Sequence, residues 1–228
     1  MGRRATAEFL GTSLLLFVIV GSGIVVEASS GDPVLQLCAH AIIVGGVLAL
    51  LIALLGPVSG AHLNPAVTLV AWRNREVTGR AAGAYLLAQT VGAVAGVVLA
   101  HACFERALVS ISSTVRDGVG RALAEVVSTL VLVLLIGGLA RTHRPQLIPW
   151  AAGLWIAVAI FATPSTGFAN PAVTLARTLT DTFAGIEPVD VPAFILSQLI
   201  GALLAAAALG YLFPIPTARL TAREETLT

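Results

Sequence analysis

The sequence has no lysine: all thirteen of its cations are arginines. Twelve acids oppose them, and charged residues make up only 11% of the 228. A soluble domain carries about twice that share. The formal net charge of +1 offers no basic face for nucleic acid and no acidic one for a cationic partner. An arginine-only cation set points to a GC-rich, bacterial source. Cysteine is equally scarce. Cys38 and Cys103 are the only two, form no metal or redox motif, and are expected as buried free thiols. No nucleophile–base set and no metal-ligand cluster stands out, so neither an enzyme nor a cofactor is expected.

What the chain has instead is hydrophobicity, at 57% of residues and a mean hydropathy of +0.94. Apolar stretches fall at 5–26, 35–56, 82–103, 119–140, 147–163 and 191–213. Each is near the roughly 20 residues that cross a bilayer, so six spans are expected. Arg3 and Arg4 precede the first stretch, which lacks a cleavage site and reads as a membrane helix rather than a leader. Arginines concentrate in alternate connections and tails: Arg73, Arg75 and Arg80; Arg141 and Arg144; Arg219 and Arg223. The positive-inside bias places both termini in the cytoplasm.

The two halves repeat. AEFLGTSLLLFVIVG (7–21) matches AEVVSTLVLVLLIGG (124–138), and AYLLAQTVGA (84–93) matches AFILSQLIGA (193–202). Between them NPAVTL stands at 64–69 and again at 170–175. Three spans per repeat is odd, so the second copy must be inverted, as in many membrane transport proteins. The expected organisation is one domain over 1–228. Its first repeat covers 1–105, its second 118–215, and a cytoplasmic tail 216–228.

Asn is a preferred helix cap and Pro suits the first helical position. Asn64 and Asn170 are therefore read as caps, followed by Pro65–Ala66 and Pro171–Ala172. The apolar run after each is about nine residues, or roughly 13 Å of helix, half the hydrocarbon core. Two half-helices entering from opposite sides are expected, one from about 64 and one from about 170. Irregular backbone at that depth is tolerated only where protein buries it or it lines a wet cavity. The lead-in loops, with Gly60, Ala61, His62, Phe168 and Ala169, are thus expected to line a pore. Two helix N-termini near the midplane repel a cation and spare a neutral solute. Each Asn, its oxygen used on backbone, keeps an NH2 for a passing oxygen.

With its AEFLGT opening, HLNPAVT, AYLLAQTVGA and FANPAVT, the chain resembles the aquaporins of the major intrinsic protein family over its whole length. The resemblance implies an all-α membrane protein of six transmembrane helices and two re-entrant half-helices. It also implies a homotetramer with one pore per subunit. It gives the paired intramembrane carboxylates Glu8 and Glu125 a loop-holding role; a proton-coupled secondary transporter would use them to carry protons instead.

Most family members place an arginine directly after the second NPA, beside an aromatic ring and a histidine in water-selective members. Here that position is Val173. Counting from the asparagines without gaps puts the other filter positions at Val44, Val158 and Gly167. Such a filter is wide, apolar and free of side-chain donors, and should pass bulkier uncharged solutes as well as water. Arg177 and His40, each one turn outward, are candidates for an outer vestibule. FANPAVTLARTLTDTFAGI also resembles an arsenic-resistance-associated bacterial branch that lacks the filter arginine, which implies arsenite as a substrate. A mainly water-conducting channel is the alternative.

Overall fold

The computed structural model describes residues 1–29 and 31–214. The tail 216–228, with Arg219 and Arg223, lies outside the described residues. Helices α1 (Gly2–Ser29), α2 (Pro33–Ser59), α4 (Gly79–Cys103), α5 (Val119–Arg141), α6 (Ile148–Ala162) and α8 (Val191–Leu212) are joined by two short helices, α3 (Pro65–Arg73) and α7 (Pro171–Ala176). A 3₁₀ turn at Pro145–Leu147 extends α6, and another at Pro188–Asp190 extends α8. With those extensions six helices are long and apolar enough to cross a membrane.

The long helices show no polar stripe. Their outward faces carry Leu10, Ile42, Leu54, Leu87, Leu154 and Leu203, all exposed, while the inward faces are mostly small or apolar, with a few buried polar groups such as Glu8, Gln89, Glu125 and Gln198. A helix that is hydrophobic all round suits lipid on one side and a packed core on the other. Between the helices, burial by water exclusion is not available, and small residues bring backbones close instead. Gly45 on α2 and Gly153 on α6 each face the other's carbonyl, and a Cβ on either would collide with it. The same holds for Gly96 against the Ser13 carbonyl, between α4 and α1, and for Gly201 against Val126, between α8 and α5. The repeat is thus visible in packing: α1 lies on α4 as α5 lies on α8.

Two details depart from the sequence reading. Cys38 is half-buried and Cys103 exposed; both are free thiols. The helix after Asn170 runs only to Ala176 and then tightens into a 3₁₀ turn, Arg177–Leu179. It stops there because the Arg177 carbonyl accepts the Ile186 amide at 3.3 Å instead of continuing the helix. The connection 104–118 also folds across this end of the molecule. Ser110 and Ser112 donate their amides to Leu179 and Thr178 at 3.0 and 2.9 Å, and Glu187 donates to Thr114 at 2.8 Å.

Candidate functional site

Asn64 and Asn170 cap α3 and α7 as the motif demands. The Asn64 Oδ1 accepts the Ala66 amide at 2.9 Å. The Asn170 Oδ1 accepts those of Ala172 and Val173 at 3.0 and 3.3 Å. The other side of each amide group is where the structure adds something. Asn64 Nδ2 donates to the Ala169 carbonyl at 2.7 Å, and Asn170 Nδ2 donates to the Leu63 carbonyl at 2.8 Å. The two half-helices therefore begin at one point, each cap clasping the loop that leads into the other. Leu63 and Ala169 both sit at φ +49°, a region that non-glycine residues seldom adopt. That twist aims their carbonyls across the repeat boundary.

Two carboxylates hold the twisted loops. Glu8, fully buried, accepts the amides of His62 and Leu63 at 3.0 and 2.7 Å. It also accepts Ser59 Oγ at 2.6 Å and Gln89 Nε2 at 2.8 Å. Glu125, equally buried, accepts the amides of Phe168 and Ala169, both at 2.9 Å, and Gln198 Nε2 at 2.6 Å. Gln89 and Gln198 reach on to Thr68 and Thr174, at 2.9 and 2.8 Å, and so tie each carboxylate to its half-helix. Sequence reasoning gives these glutamines no part in the site, although their equivalent places in the two repeats are a usable signal.

A cavity of about 280 Å³ runs past this centre. At one end it is lined by His40, Phe168 and Arg177, in the middle by Asn64 and Asn170, and at the other end by Asn74 and Ala140. Both lead-in loops line it, with Gly60, Ala61, His62 and Leu63 on one and Thr166, Gly167 and Phe168 on the other. Its remaining wall is aliphatic and includes Val44, Leu48, Ile52, Val67 and Val173. Pro65, Ala66, Pro171 and Ala172 are buried behind the asparagines.

Two expected wall residues are elsewhere. Ala169 is buried and does not line the cavity; its carbonyl is taken by Asn64. Val158 is 45% exposed on the far side of α6. The cavity face of α6 is Ile148, Ala152, Ile156 and Ile160, an i, i+4 row. Counting back from Asn170 crosses an irregular loop, and two residues of slippage turn a helix by about 200°. Ile156 and Ile160 thus stand where Val158 was expected.

Gly167 lines the cavity through its backbone alone. Its φ is +51°, and a Cβ there would lie 2.6 Å from the Ala159 Cβ on α6. The missing side chain lets the loop approach α6. Gly167→Ala should cost about 1–3 kcal/mol through overpacking and backbone strain, seen as a lower Tm in detergent; an unaltered Tm would mean that α6 yields freely.

His62 lines the cavity and is also packed. Its Nδ1 lies 3.1 Å from Thr68 Oγ1, and its ring meets Tyr85 edge-on at 5.3 Å. His40 is held by Ser22, Nδ1 to Oγ 2.9 Å, and by the edge of Phe183 at 5.5 Å. Arg177 is 5% exposed. Its Nε donates to the Ala184 carbonyl, and its guanidinium lies 3.4 Å above the Phe168 ring. Arg116, from the connection 104–118, lies 5.0 Å from the same ring. It donates to the Gly185 and Phe183 carbonyls at 2.6 and 3.2 Å and to Thr166 Oγ1 at 3.2 Å. Burial, and then the neighbouring Arg121, lower its pKa to about 10, which leaves it charged at neutral pH. Nothing in the sequence marked Arg116. It is a loop arginine whose guanidinium donates to carbonyls and a hydroxyl, from segments about fifty to seventy residues away, while its amide donates to the Asp190 carboxylate at 2.6 Å.

The chain matches the model of the major intrinsic protein family over residues 1–147 and 142–226. It is 46% identical over 210 residues to aquaglyceroporin AqpS of Rhizobium meliloti, covering 92% of this chain and 90% of that one. It is 34% identical over 238 residues to the glycerol uptake facilitator protein of Pseudomonas aeruginosa, covering 88% and 85%. Its fold matches the crystal structure of the aquaglyceroporin from Plasmodium falciparum with a TM-score of 0.71 over 96% and 99% of the two chains, at 19% identity. Six apolar helices arranged around two clasped half-helices, with a family match along the whole chain, make this a multi-pass membrane protein that belongs to the major intrinsic protein family.

Proposed function

We propose that the chain is a passive channel for small uncharged solutes, glycerol and water among them. One observation carries this reading: a cavity is lined by both asparagine caps and both lead-in loops, and for most of the rest by aliphatic side chains. Backbone groups of those loops give a polyol or urea its hydrogen bonds, while its carbon skeleton lies on the aliphatic face. An ion finds too few partners to replace its hydration shell. Each Asn Nδ2 spends one N–H on the opposite loop. The other N–H remains for a solute oxygen at the midplane. The names of the two relatives, an aquaglyceroporin and a glycerol facilitator, support the same solute class.

The filter is read as Val44, Gly167 and Val173, with Ile156 and Ile160 from α6. None of these offers a side-chain donor, which favours solutes larger than water. Metalloid hydroxides such as arsenite, neutral and similar to glycerol in size, belong to the class. The positive-inside bias supports cytoplasmic termini, so that the α7 end of the cavity faces out. A homotetramer in a bacterial inner membrane completes the reading.

A proton-coupled transporter would need a carboxylate with acceptor capacity to spare. The four acceptor sites of Glu8 already meet four donors, and Glu125 meets three, two of them backbone amides of its loop. Stopped-flow light scattering on proteoliposomes tests the proposal. Glycerol, urea and arsenite should each enter at rates linear in their gradient and independent of a pH difference. Saturation at low solute, or acceleration by a proton gradient, would make it a carrier.

A further inference from the structure

Beyond Val173 the cavity meets a second group of polar side chains. Arg177 lies one helical turn past Val173, is 5% exposed and still lines the cavity. Its Nε is fixed by the Ala184 carbonyl and its plane by the Phe168 ring. Among the described residues its two terminal nitrogens meet no protein acceptor, and no carboxylate lies within ion-pair distance of Arg177 or Arg116. A buried guanidinium with unused donors, held by a ring, is aimed at the lumen. His40 lines the same end. Its Nδ1 is taken by Ser22 and its Nε2 has no partner among the described residues. Phe183, edge-on to His40, directly precedes Ala184, which anchors Arg177.

No arginine or histidine stands at Val44, Gly167, Val173 or the Ile156 and Ile160 face of α6. One of each, Arg177 and His40, lines the cavity one turn further along. We infer that this channel has its cation barrier and its solute-orienting donors displaced to Arg177 and His40, outside an apolar constriction at Val173. The inference rests on the channel reading above. A solute would shed its water against Arg177 and His40 first, and then cross a short aliphatic stretch before meeting the asparagines. A small cation is repelled at the entrance by the guanidinium, and further in by two helix N-termini.

Guanidinium and urea are nearly isosteric and differ in charge, so their flux ratio isolates the barrier. Radiolabelled uptake into proteoliposomes should show the wild type excluding guanidinium while passing urea. Arg177→Leu should raise the guanidinium-to-urea ratio by about tenfold or more, as expected for loss of a unit charge in a poorly screened passage. Arg177→Gln, which keeps donors and drops the charge, should do the same and stands in where the leucine variant fails to insert. Adding Val173→Arg to Arg177→Leu returns the charge one turn inward and should restore exclusion. A merely structural role for Arg177 would not be rescued that way. Unchanged ratios in both neutral variants overturn the displaced barrier, as does a raised ratio that Val173→Arg fails to lower. If the wild type passes neither urea nor glycerol, the channel reading itself falls, and this inference with it.

Discussion

Glu125→Ala should abolish conduction and leave a protein that melts far below the wild type. The substitution strips the Phe168 and Ala169 amides and Gln198 Nε2 of their acceptor, which is fully buried. Each buried unsatisfied donor costs about 1–3 kcal/mol. Three of them together are comparable to the roughly 5–15 kcal/mol that separates a typical folded domain from its unfolded chain. The loop cannot relax by untwisting, because Ala169 must also hold its carbonyl toward Asn64. Glu125→Gln keeps one acceptor oxygen and should fall between, with partial flux and a smaller loss of Tm. Intrinsic fluorescence during thermal melting in detergent, run beside glycerol efflux, measures both effects. Wild-type flux in the alanine variant would show that the carboxylate does not hold the loop.

Val173→Arg should cut glycerol and urea flux by about tenfold or more while changing water flux much less, since pore width and lining donors set solute selectivity. Val173 is buried beside Asn170 and lines the cavity. A guanidinium there narrows the passage and adds donors to its lining, which hinders bulkier solutes more than water. It also places a second cation one turn below Arg177. Stopped-flow shrinkage for water and tracer efflux for glycerol give the two rates on one preparation. Equal loss of both, or of neither, would remove Val173 from the selectivity of this channel.

Much of this architecture is legible in the sequence because the chain states it twice. NPAVTL, the glutamates and the glutamines recur at equivalent places, and the duplication separates them from an otherwise uniform apolar background. Capping chemistry then assigns Asn64 and Asn170 their geometry without further help. What is not legible depends on angles across irregular backbone. Val158 and Ile160 differ by two letters of similar character, and only the path of residues 163–169 decides which faces the lumen. Arg116 and the carbonyl partners of the asparagines are invisible for another reason. Their partners are mostly backbone groups, which carry no residue identity to recognise. The displacement of Arg177 falls between these cases: its distance from Val173 is countable, but its approach to Phe168 depends on the 3₁₀ turn that follows.

The reciprocal clasp also orders the events of assembly. Each half carries its own anchor, Glu8 with Gln89 and Glu125 with Gln198, so each loop can be braced by helices of its own repeat. The closing bonds are different. Asn64 waits for a carbonyl 105 residues later, and Asn170 reaches back 107. Until the second repeat has inserted, the first presents a cap with an idle amide and no opposing wall. The lumen takes its walls from both repeats, so neither repeat can form it alone.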